Sequence, residues 1–166
     1  MATISYEVYL CLGSNLGERK ENLSKAIELL SQRFRVSEVS STYETEAVGV
    51  ANHPHFLNMV VKAYTMLEPA GLLLLIKGIE RKLGRLPGPR NAPRTIDIDI
   101  LFYGDQVIDT PELVIPHPRL TERAFVLVPL NEIAPTLVHP LNKKSVGTML
   151  KELKQGLQGV FKLKED

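Results

Sequence analysis

The spacing of apolar and polar positions along the chain predicts six main elements, in the order strand, helix, strand, strand, helix, strand. Alternation with a period of two favours a strand, whereas apolar residues that recur three and four positions apart favour a helix. Leu23, Ile27, Leu30 and Phe34 have the helical spacing. Pro69 suits the first turn of the second helix. The strands are predicted at residues 6–11, 35–45, 56–65 and 95–102.

This order of elements is typical of the split βαβ, ferredoxin-like motif. We therefore predict the α+β fold class, with a ferredoxin-like βαββαβ core and an added C-terminal hairpin and helices. A turn at Gly104-Asp105 is predicted to lead into a short partner strand at 106–108, and helices are predicted near 119–125 and 146–157. No repeat or low-complexity linker divides the sequence, so residues 1–166 are predicted to form a single domain.

The last of the main strands carries two acids on one face. Successive side chains of a strand point to opposite faces, so Asp97 and Asp99 share one face and the neighbouring isoleucines share the other. Aspartate is a poor strand former and two like charges repel, so a compensating cation is expected. A hard metal ion, which prefers carboxylate oxygens, or an arginine would serve. An exposed strand edge with two solvated acids is the alternative.

A basic segment leads directly into this strand. Residues 81–94 contain three prolines, two glycines and no acid. A stiff cationic loop beside two carboxylates favours a polyphosphate bound with magnesium, because the planar fork of arginine matches phosphate oxygens. A solvated charged loop is the alternative. The five basic residues are Arg81, Lys82, Arg85, Arg90 and Arg94.

The common nucleotide-binding motifs do not occur in the sequence. There is no Walker A loop and no protein-kinase signature set. The segment Gly-Ser-Asn-Leu-Gly at 13–17 lacks the lysine of a phosphate loop, and a tight turn with a polar helix cap explains it equally well. His117 lies between two prolines and close to Arg119 and Arg123, so it is the histidine best placed to bind phosphate oxygens. The other three histidines are interpreted as loop residues.

Composition limits the partners that can be expected. The 166 residues are 44% apolar and 23% charged, with a net charge of +1. So small a net charge provides no general attraction to nucleic acid or to a membrane, and neither is expected as a partner. Cys11 is the single cysteine, which excludes an internal disulfide and fits a reducing compartment. With no signal peptide at the start of the sequence, we expect a cytoplasmic protein.

Seven short segments occur in an order that is specific to one family. The most specific is Pro-Arg-Thr-Ile-Asp-Ile-Asp-Ile at 93–100, and the others lie at 13–17, 43–45, 56–58, 79–81, 115–119 and 122–127. With these segments, which extend from Tyr6 to about Pro140, the chain resembles the 6-hydroxymethyl-7,8-dihydropterin pyrophosphokinases of folate biosynthesis.

The resemblance implies an enzyme that moves the diphosphate of ATP onto the hydroxymethyl group of 6-hydroxymethyl-7,8-dihydropterin and releases AMP. Asp97 and Asp99 would bind two Mg²⁺ ions that bridge the triphosphate. Arg85, Arg90 and Arg94 would join the two acids as catalytic residues, and Arg90 would help to close the site. The residues implied on the ATP side are Lys77, Glu80, Arg85, Arg94, Ile100, His117 and Arg123.

The resemblance also implies how the pterin is bound. Two phenylalanines would sandwich the flat ring, and an asparagine with nearby backbone groups would read its amide edge. Plain core packing of the phenylalanines is the alternative. A monomer would suffice for this reaction. The residues implied on the pterin side are Thr45, Glu46, Val48, Phe56, Asn58 and Phe125.

The chain departs from the family pattern at two points in the basic loop. Asn91-Ala92 stands where many members have Trp-Gly, and Pro87 stands where some have another arginine. These departures bear on loop closure and turnover more than on the type of reaction. In the implied mechanism the hydroxymethyl oxygen attacks the β-phosphorus in line, and the protein supplies alignment and neutralisation of charge.

Two other functions are weighed against this one. A two-metal nucleotidyl transferase or cyclase can also set an Asp-x-Asp pair on a ferredoxin-like sheet, and it would release pyrophosphate from ATP instead of AMP. A non-catalytic nucleic-acid binder on the same fold would need aromatics along the sheet and a broad basic face. Aromatic residues are only 6% of the chain and tryptophan is absent, so we rank the binder low.

Overall fold

The computed structural model describes residues 4–45, 55–84, 95–153 and 160–163. The predicted α+β class is confirmed, because the described residues form helices packed on an antiparallel sheet. The strands are β1 (Tyr6–Ser14), β2 (Arg35–Val39), β3 (Tyr43–Thr45), β4 (Phe56–Thr65), β5 (Asp97–Tyr103), β6 (Ile108–Asp109), β7 (Val114–Ile115) and β8 (Val160–Lys162). The helices are α1 (Arg19–Ser31), α2 (Pro69–Lys82), a 3₁₀ helix (Leu120–Glu122), α3 (Ala124–Ile133) and α4 (Val146–Glu152).

In the main sheet, β1 lies between β5 and β4. Its order is β5-β1-β4-β3-β8, and β2 also pairs with β4. All of these pairs are antiparallel. β6 and β7 form a separate two-stranded sheet. The ferredoxin-like arrangement of the core and the added hairpin stay predictions.

Each face of the sheet has its own apolar core. On one face, alternate residues of β1, β4 and β5 pack against α1 and α2, as the two-residue period predicts. On the other face, a smaller cluster joins the sheet to α3 and α4. The second face is the one that carries Asp97 and Asp99. The buried isoleucines Ile96, Ile98 and Ile100 all belong to the first core.

A bulge in β5 ends the simple alternation after the acidic pair. Leu10 pairs with Ile100, but the preceding Tyr9 pairs with Phe102, so Leu101 is the extra residue. Leu101 and Phe102 consequently both pack in the cluster beneath α3. Beyond Asp99, this face of β5 is therefore apolar.

The predicted strand at 35–45 is wrong as one element, because it divides into β2 and β3. Ser40 lies in the break: its amide donates to the carbonyl of Val60, while its hydroxyl accepts from the amide of Val60 at 2.9 Å. A side chain has taken the place of a ladder carbonyl there, so the regular pairing is interrupted. The predicted end of β1 at residue 11 is also wrong, since the strand continues to Ser14.

The C-terminal part of the chain differs more from the prediction. The helix expected near 119–125 is only a 3₁₀ turn at its start, and α3 then continues to Ile133. Pro129 lies inside α3, and an internal proline is a signal against a helix. The strand expected at 106–108 shares only Ile108 with β6, and β6 pairs with β7 rather than with β5. The last helix ends at Glu152.

No helix among the described residues is both long and apolar enough to span a membrane.

Candidate active site on the sheet face beneath α3

One row of residues crosses the polar face of the sheet from edge to centre. Gly13 on β1 is the Cα partner of Asp97 on β5 and of Asn58 on β4. Asn58 is in turn the partner of Tyr43 on β3. Directly paired residues of antiparallel strands point to the same face, so the side chains of Asp97, Asn58 and Tyr43 share one face of the sheet. Gly13 lies between Asp97 and Asn58 in this row. The strand register thus joins residues that are far apart in the sequence.

The neighbouring row brings the second acid against a buried thiol. Asp99 pairs with Cys11, which is 5% exposed. Burial, followed by the charge of Asp97, raises the pKa of Asp99 to about 7. Burial and the charge of Asp99 likewise raise the pKa of the Cys11 thiol. A nearby positive charge therefore favours the ionised form of Asp99.

Arg123 provides part of that positive charge. It has an extended conformation between the 3₁₀ helix and α3. Its charge favours the ionised forms of Asp99 and Cys11. Burial and the nearby charge of Arg119 lower the pKa of Arg123, although a guanidinium remains charged in proteins. Arg123 therefore lies close enough to the acidic pair for its charge to act on Asp99.

His117 lies beside the same group of charges. Its Nδ1 accepts a hydrogen bond from the amide of Arg119 at 3.3 Å, so the proton of the neutral ring belongs on Nε2. Burial and the charge of Arg123 lower the pKa of His117, which keeps it neutral near pH 7. The backbone amide of His117 donates to the carbonyl of Leu101, which fixes this segment against β5. His117 is thus placed to donate a hydrogen bond from Nε2.

Glu80 of α2 holds the outer edge of β5 between the two acids. Its Oε2 accepts from the backbone amide of Ile98 at 2.8 Å, and the residue is only 2% exposed. Lys77, one helical turn earlier, is exposed, and its Nζ lies 3.5 Å from Glu80 Oε1. The implied nucleotide contact of Glu80 stays a prediction, while the contact that it makes here is with the strand. The side chain of Ile100 belongs to the core against α1 and α2, so only its backbone could bind a nucleotide.

Gly13 is required by the close approach of Asn58. A Cβ atom at Gly13 would lie 2.7 Å from Asn58 Oδ1 and 3.6 Å from Phe56 Cδ1. The other end of the Asn58 amide donates to Thr45 Oγ1 at 3.3 Å. Asn58 is 4% exposed, so its amide is fixed between β1 and β3. Three residues implied on the pterin side, Thr45, Phe56 and Asn58, are therefore adjacent.

Phe125 enters the site from the first turn of α3. It is half-buried against the apolar cluster beneath that helix. The guanidinium carbon of Arg123 lies 5.4 Å from the centre of its ring, within the range of a cation–π contact. Phe125 thus lies on the side of the site that carries Arg123.

Several expected residues lie outside the described part of the chain. They are Glu46, Val48, Arg85, Arg90 and Arg94, together with the departures at Pro87 and Asn91-Ala92. Their expected roles stay predictions.

Sequence reasoning missed three contributors to the site. Gly13 was interpreted as part of a turn, although a glycine inside a strand often marks a close approach. Arg19, at the start of α1, donates to the carbonyl of His55 at 2.6 Å and lies 3.3 Å from Glu44 Oε2, so it ties the end of β3 to the start of β4. Glu132 at the end of α3 binds Ser41 and Tyr43. The last two contacts join distant segments and give no local signal in the sequence.

The acidic pair has the donor set of a magnesium site. Among the described residues, no three or more histidine, cysteine, aspartate or glutamate side chains are grouped so that together they could hold a metal ion. Magnesium usually takes only one or two carboxylates and fills its remaining positions with water and substrate phosphates. A divalent ion would also offset the burial, and the repulsion from Asp97, that raise the pKa of Asp99. Asp97 and Asp99 therefore fit the ion.

Comparisons with known proteins point in one direction. The family model described as 7,8-dihydro-6-hydroxymethylpterin-pyrophosphokinase (HPPK) matches residues 9–135. A 2-amino-4-hydroxy-6-hydroxymethyldihydropteridine pyrophosphokinase of Aquifex aeolicus is 47% identical over 147 residues, which cover 89% of each chain. That of Bacillus subtilis is 48% identical over 127 residues, which cover 75% of this chain and 76% of the relative.

A solved structure shares the fold of this chain. The crystal structure of Plasmodium falciparum HPPK-DHPS with pteroate superposes with a TM-score of 0.72 at 17% identity. The match covers 92% of this chain and 43% of that chain. At such low identity the superposition bears on the fold alone.

Proposed function

Because this chain belongs to the 7,8-dihydro-6-hydroxymethylpterin-pyrophosphokinase family, we propose that the sheet face beneath α3 is where it performs the reaction of that family. The chain is an ATP-dependent diphosphotransferase of folate biosynthesis. It transfers the diphosphate of ATP to the hydroxymethyl group of 6-hydroxymethyl-7,8-dihydropterin and releases AMP. The rival reaction of a nucleotidyl transferase or cyclase is not favoured.

The row Asp97–Gly13–Asn58–Tyr43 is the observation that carries the assignment of the site. It sets Asp97, one of the two acids that we expect to bind metal, at the edge of the face and a fixed amide at its centre. The triphosphate of ATP would lie over β5, and the pterin would lie over β4. Both substrates then share one face, with the reacting atoms between them.

Asp97 and Asp99 would hold magnesium, which we expect as two ions. When bound, magnesium neutralises the phosphate charge and orients the attacking and leaving oxygens. Arg123 would add a fixed positive charge, and His117 would donate from Nε2 to a phosphate oxygen. Lys77 is an exposed residue of α2 and could reach the nucleotide. The backbone of Ile100, Glu80 and the loop arginines Arg85, Arg90 and Arg94 complete the proposed ATP side.

The pterin would lie between Phe56 and Phe125, with its amide edge against Asn58. Thr45 holds the amide of Asn58 in place, and we propose that backbone groups at Glu46 and Val48 add further hydrogen bonds. A rigid amide at the end of an aromatic slot is a good reader of a flat heterocycle, because its donor and acceptor are fixed before binding.

The chain's contribution to the reaction is alignment and charge. The hydroxymethyl oxygen forms a bond to the β-phosphorus, and the bond from that phosphorus to the oxygen bridging to the α-phosphate breaks, so that AMP leaves. The hydroxyl proton passes to water. Holding the two substrates in line supplies much of the rate, since the reacting atoms no longer have to find one another. We also propose that the enzyme is a cytoplasmic monomer built as a single domain.

A product assay tests the proposal. ATP, Mg²⁺ and 6-hydroxymethyl-7,8-dihydropterin are incubated with the chain, and nucleotides are separated by chromatography. We expect AMP only when all three are present. Pyrophosphate release without a diphosphorylated pterin would contradict the proposed reaction. Full activity in Asp97→Asn would instead contradict the proposed site.

A further inference from the structure

Glu132 fastens α3 to the strand that flanks the proposed pterin slot. Its Oε1 accepts from the hydroxyl of Tyr43 at 2.6 Å. Its Oε2 accepts from the backbone amide of Ser41 at 2.9 Å and from the Ser41 hydroxyl at 3.1 Å. One carboxylate therefore receives three hydrogen bonds from the segment that begins β3, 89 to 91 residues earlier in the chain.

These hydrogen bonds are of the strong, charge-assisted kind. Burial alone would raise the pKa of Glu132, but the hydrogen bonds from Tyr43 and Ser41 hold it below its usual value. The carboxylate therefore stays ionised at neutral pH, and bonds to an ionised acceptor are short and directional. Tyr43 itself is only 8% exposed, so its ring also has a fixed position.

The position of Glu132 on α3 relates it to the substrate slot. Phe125 and Glu132 are seven residues apart, which is about two turns, so both lie on the same face of the helix. Opposite that face, Tyr43 is the partner of Asn58, and Thr45 is the partner of Phe56. The Glu132–Tyr43 bond thus joins α3 to β3 about two helical turns from Phe125, the residue of α3 that we assign to the pterin slot.

We propose that Glu132 and Tyr43 form a positioning pair that sets the distance between α3 and the β3–β4 strip, and with it the width of the pterin slot. Neither residue touches the substrate in this proposal, which rests on the proposed function of the site. The pair holds Phe125 at the spacing that a single flat ring requires. A slot fixed in advance binds more tightly, because no ordering is needed on binding.

The test uses Tyr43→Phe and Glu132→Gln, which keep the shape of each side chain. Pterin binding is measured by titration calorimetry with Mg²⁺ and a non-hydrolysable ATP analogue. In each variant we expect the dissociation constant for pterin to rise by roughly tenfold, the size expected when a hydrogen bond to an ionised group is lost. KM for pterin should rise in parallel, while kcat and the affinity for the ATP analogue change less than about twofold.

Tyr103→Phe is the matched control. The Tyr103 hydroxyl donates to the carbonyl of Leu67, on the side of the sheet that faces α1 and α2. This variant also removes the hydrogen bond of a buried tyrosine hydroxyl, here to a neutral carbonyl, so it should lower the Tm and leave pterin binding unchanged. Equal weakening of pterin binding in Tyr103→Phe would overturn the positioning role of Glu132 and Tyr43, because a general loss of stability would then explain the weaker binding.

Two outcomes separate the positioning pair from the proposed function. If the unsubstituted chain binds pterin and both variants bind it equally well, the positioning pair is overturned and the function stands. If the unsubstituted chain binds no pterin, the proposed function fails, and the positioning pair fails with it.

Discussion

Asp97 and Asp99 show how a strand can carry charge at the expense of its own stability. Both acids share the face beneath α3, and burial of Asp99 beside Cys11 makes its ionised form unfavourable in the absence of a cation. Residues that destabilise a fold in this way are typical of functional sites. The same property that suits them to magnesium therefore makes them a weak point of the metal-free protein.

Replacing either acid by asparagine should separate activity from stability. We expect Asp97→Asn and Asp99→Asn each to reduce kcat/KM by about a thousandfold or more, because each removes a carboxylate from the proposed magnesium site. Without magnesium, the Tm of Asp99→Asn should equal or exceed that of the unsubstituted chain, since the buried charge is gone. Asp109→Asn, on the exposed part of β6, is the control and should change neither quantity. Near-normal turnover in Asp97→Asn or Asp99→Asn would contradict the magnesium assignment.

The pKa of Asp99 predicts a pH dependence of magnesium binding. The folded-state pKa of about 7 lies above the usual 3.8, so the folded chain binds this proton more tightly than the unfolded chain does. The metal-free protein should therefore lose stability as the pH rises from 3.8 towards 7. Magnesium competes with the same proton, so its affinity should rise by up to about tenfold per pH unit below pH 7 and level off above it. Calorimetric titrations at pH 6, 7 and 8 would measure this, and an unchanged affinity would contradict it.

Replacing Gly13 by alanine should weaken pterin binding without affecting ATP binding. In Gly13→Ala the new methyl group would lie 2.7 Å from Asn58 Oδ1, so the amide must move and its bond to Thr45 must lengthen. We expect pterin affinity to fall by roughly tenfold, the effect of losing about one hydrogen bond, with ATP affinity unchanged. Gly78→Ala on α2, where a Cβ meets nothing within 4 Å, is the matched control and should be neutral or stabilising. Unchanged pterin binding in Gly13→Ala would show that Asn58 does not read the ring.

At the element scale, other segments support the edge of β5 that has no neighbouring strand in the described part of the sheet. Glu80 from α2 accepts from Ile98, and the amide of His117 donates to the carbonyl of Leu101. Both contacts replace the neighbouring strand that an edge lacks. They also fix the backbone on either side of Asp99, which the proposed metal site requires.

Removing the Glu80 carboxylate should therefore weaken both the fold and the site. Glu80→Ala leaves the buried amide of Ile98 without this acceptor, so we expect the free energy of unfolding to fall by about 1–3 kcal/mol. Glu80→Gln keeps an oxygen at this position and should lose less. Urea denaturation would measure both variants. Equal stability of Glu80→Ala and the unsubstituted chain would mean that the contact does not support β5.

The chain as a whole should be stabilised by its substrates. A ligand that binds only the folded state adds about 2.7 kcal/mol at a hundred times its dissociation constant. For a domain of this size, that amounts to a rise in Tm of roughly 5–10 °C. We expect such a rise with Mg²⁺ and a non-hydrolysable ATP analogue, measured by differential scanning fluorimetry. The rise should be absent in the double variant Asp97→Asn/Asp99→Asn, and an equal rise there would place the nucleotide elsewhere.

The amino-acid pattern was sufficient for the features that depend on neighbouring residues. Alternation along residues 96–100 separated the isoleucines from the acids, because strand geometry alone sends successive side chains to opposite faces. The spacing of Leu23 and Leu30 likewise predicted part of the buried face of α1. The short motifs pointed to the family for the same reason, since each is a local set of residues.

Other features depended on how distant segments meet. The register of β1 between β4 and β5 aligns Gly13 with both Asn58 and Asp97, and no local pattern specifies that alignment. The split between β2 and β3 arises from the bond of Ser40 to Val60, and the length of α3 is masked in the sequence by Pro129. Glu132 meets Tyr43 only because α3 packs across the sheet. The packing of the helices on the sheet selects these contacts, so they exist only in the folded chain.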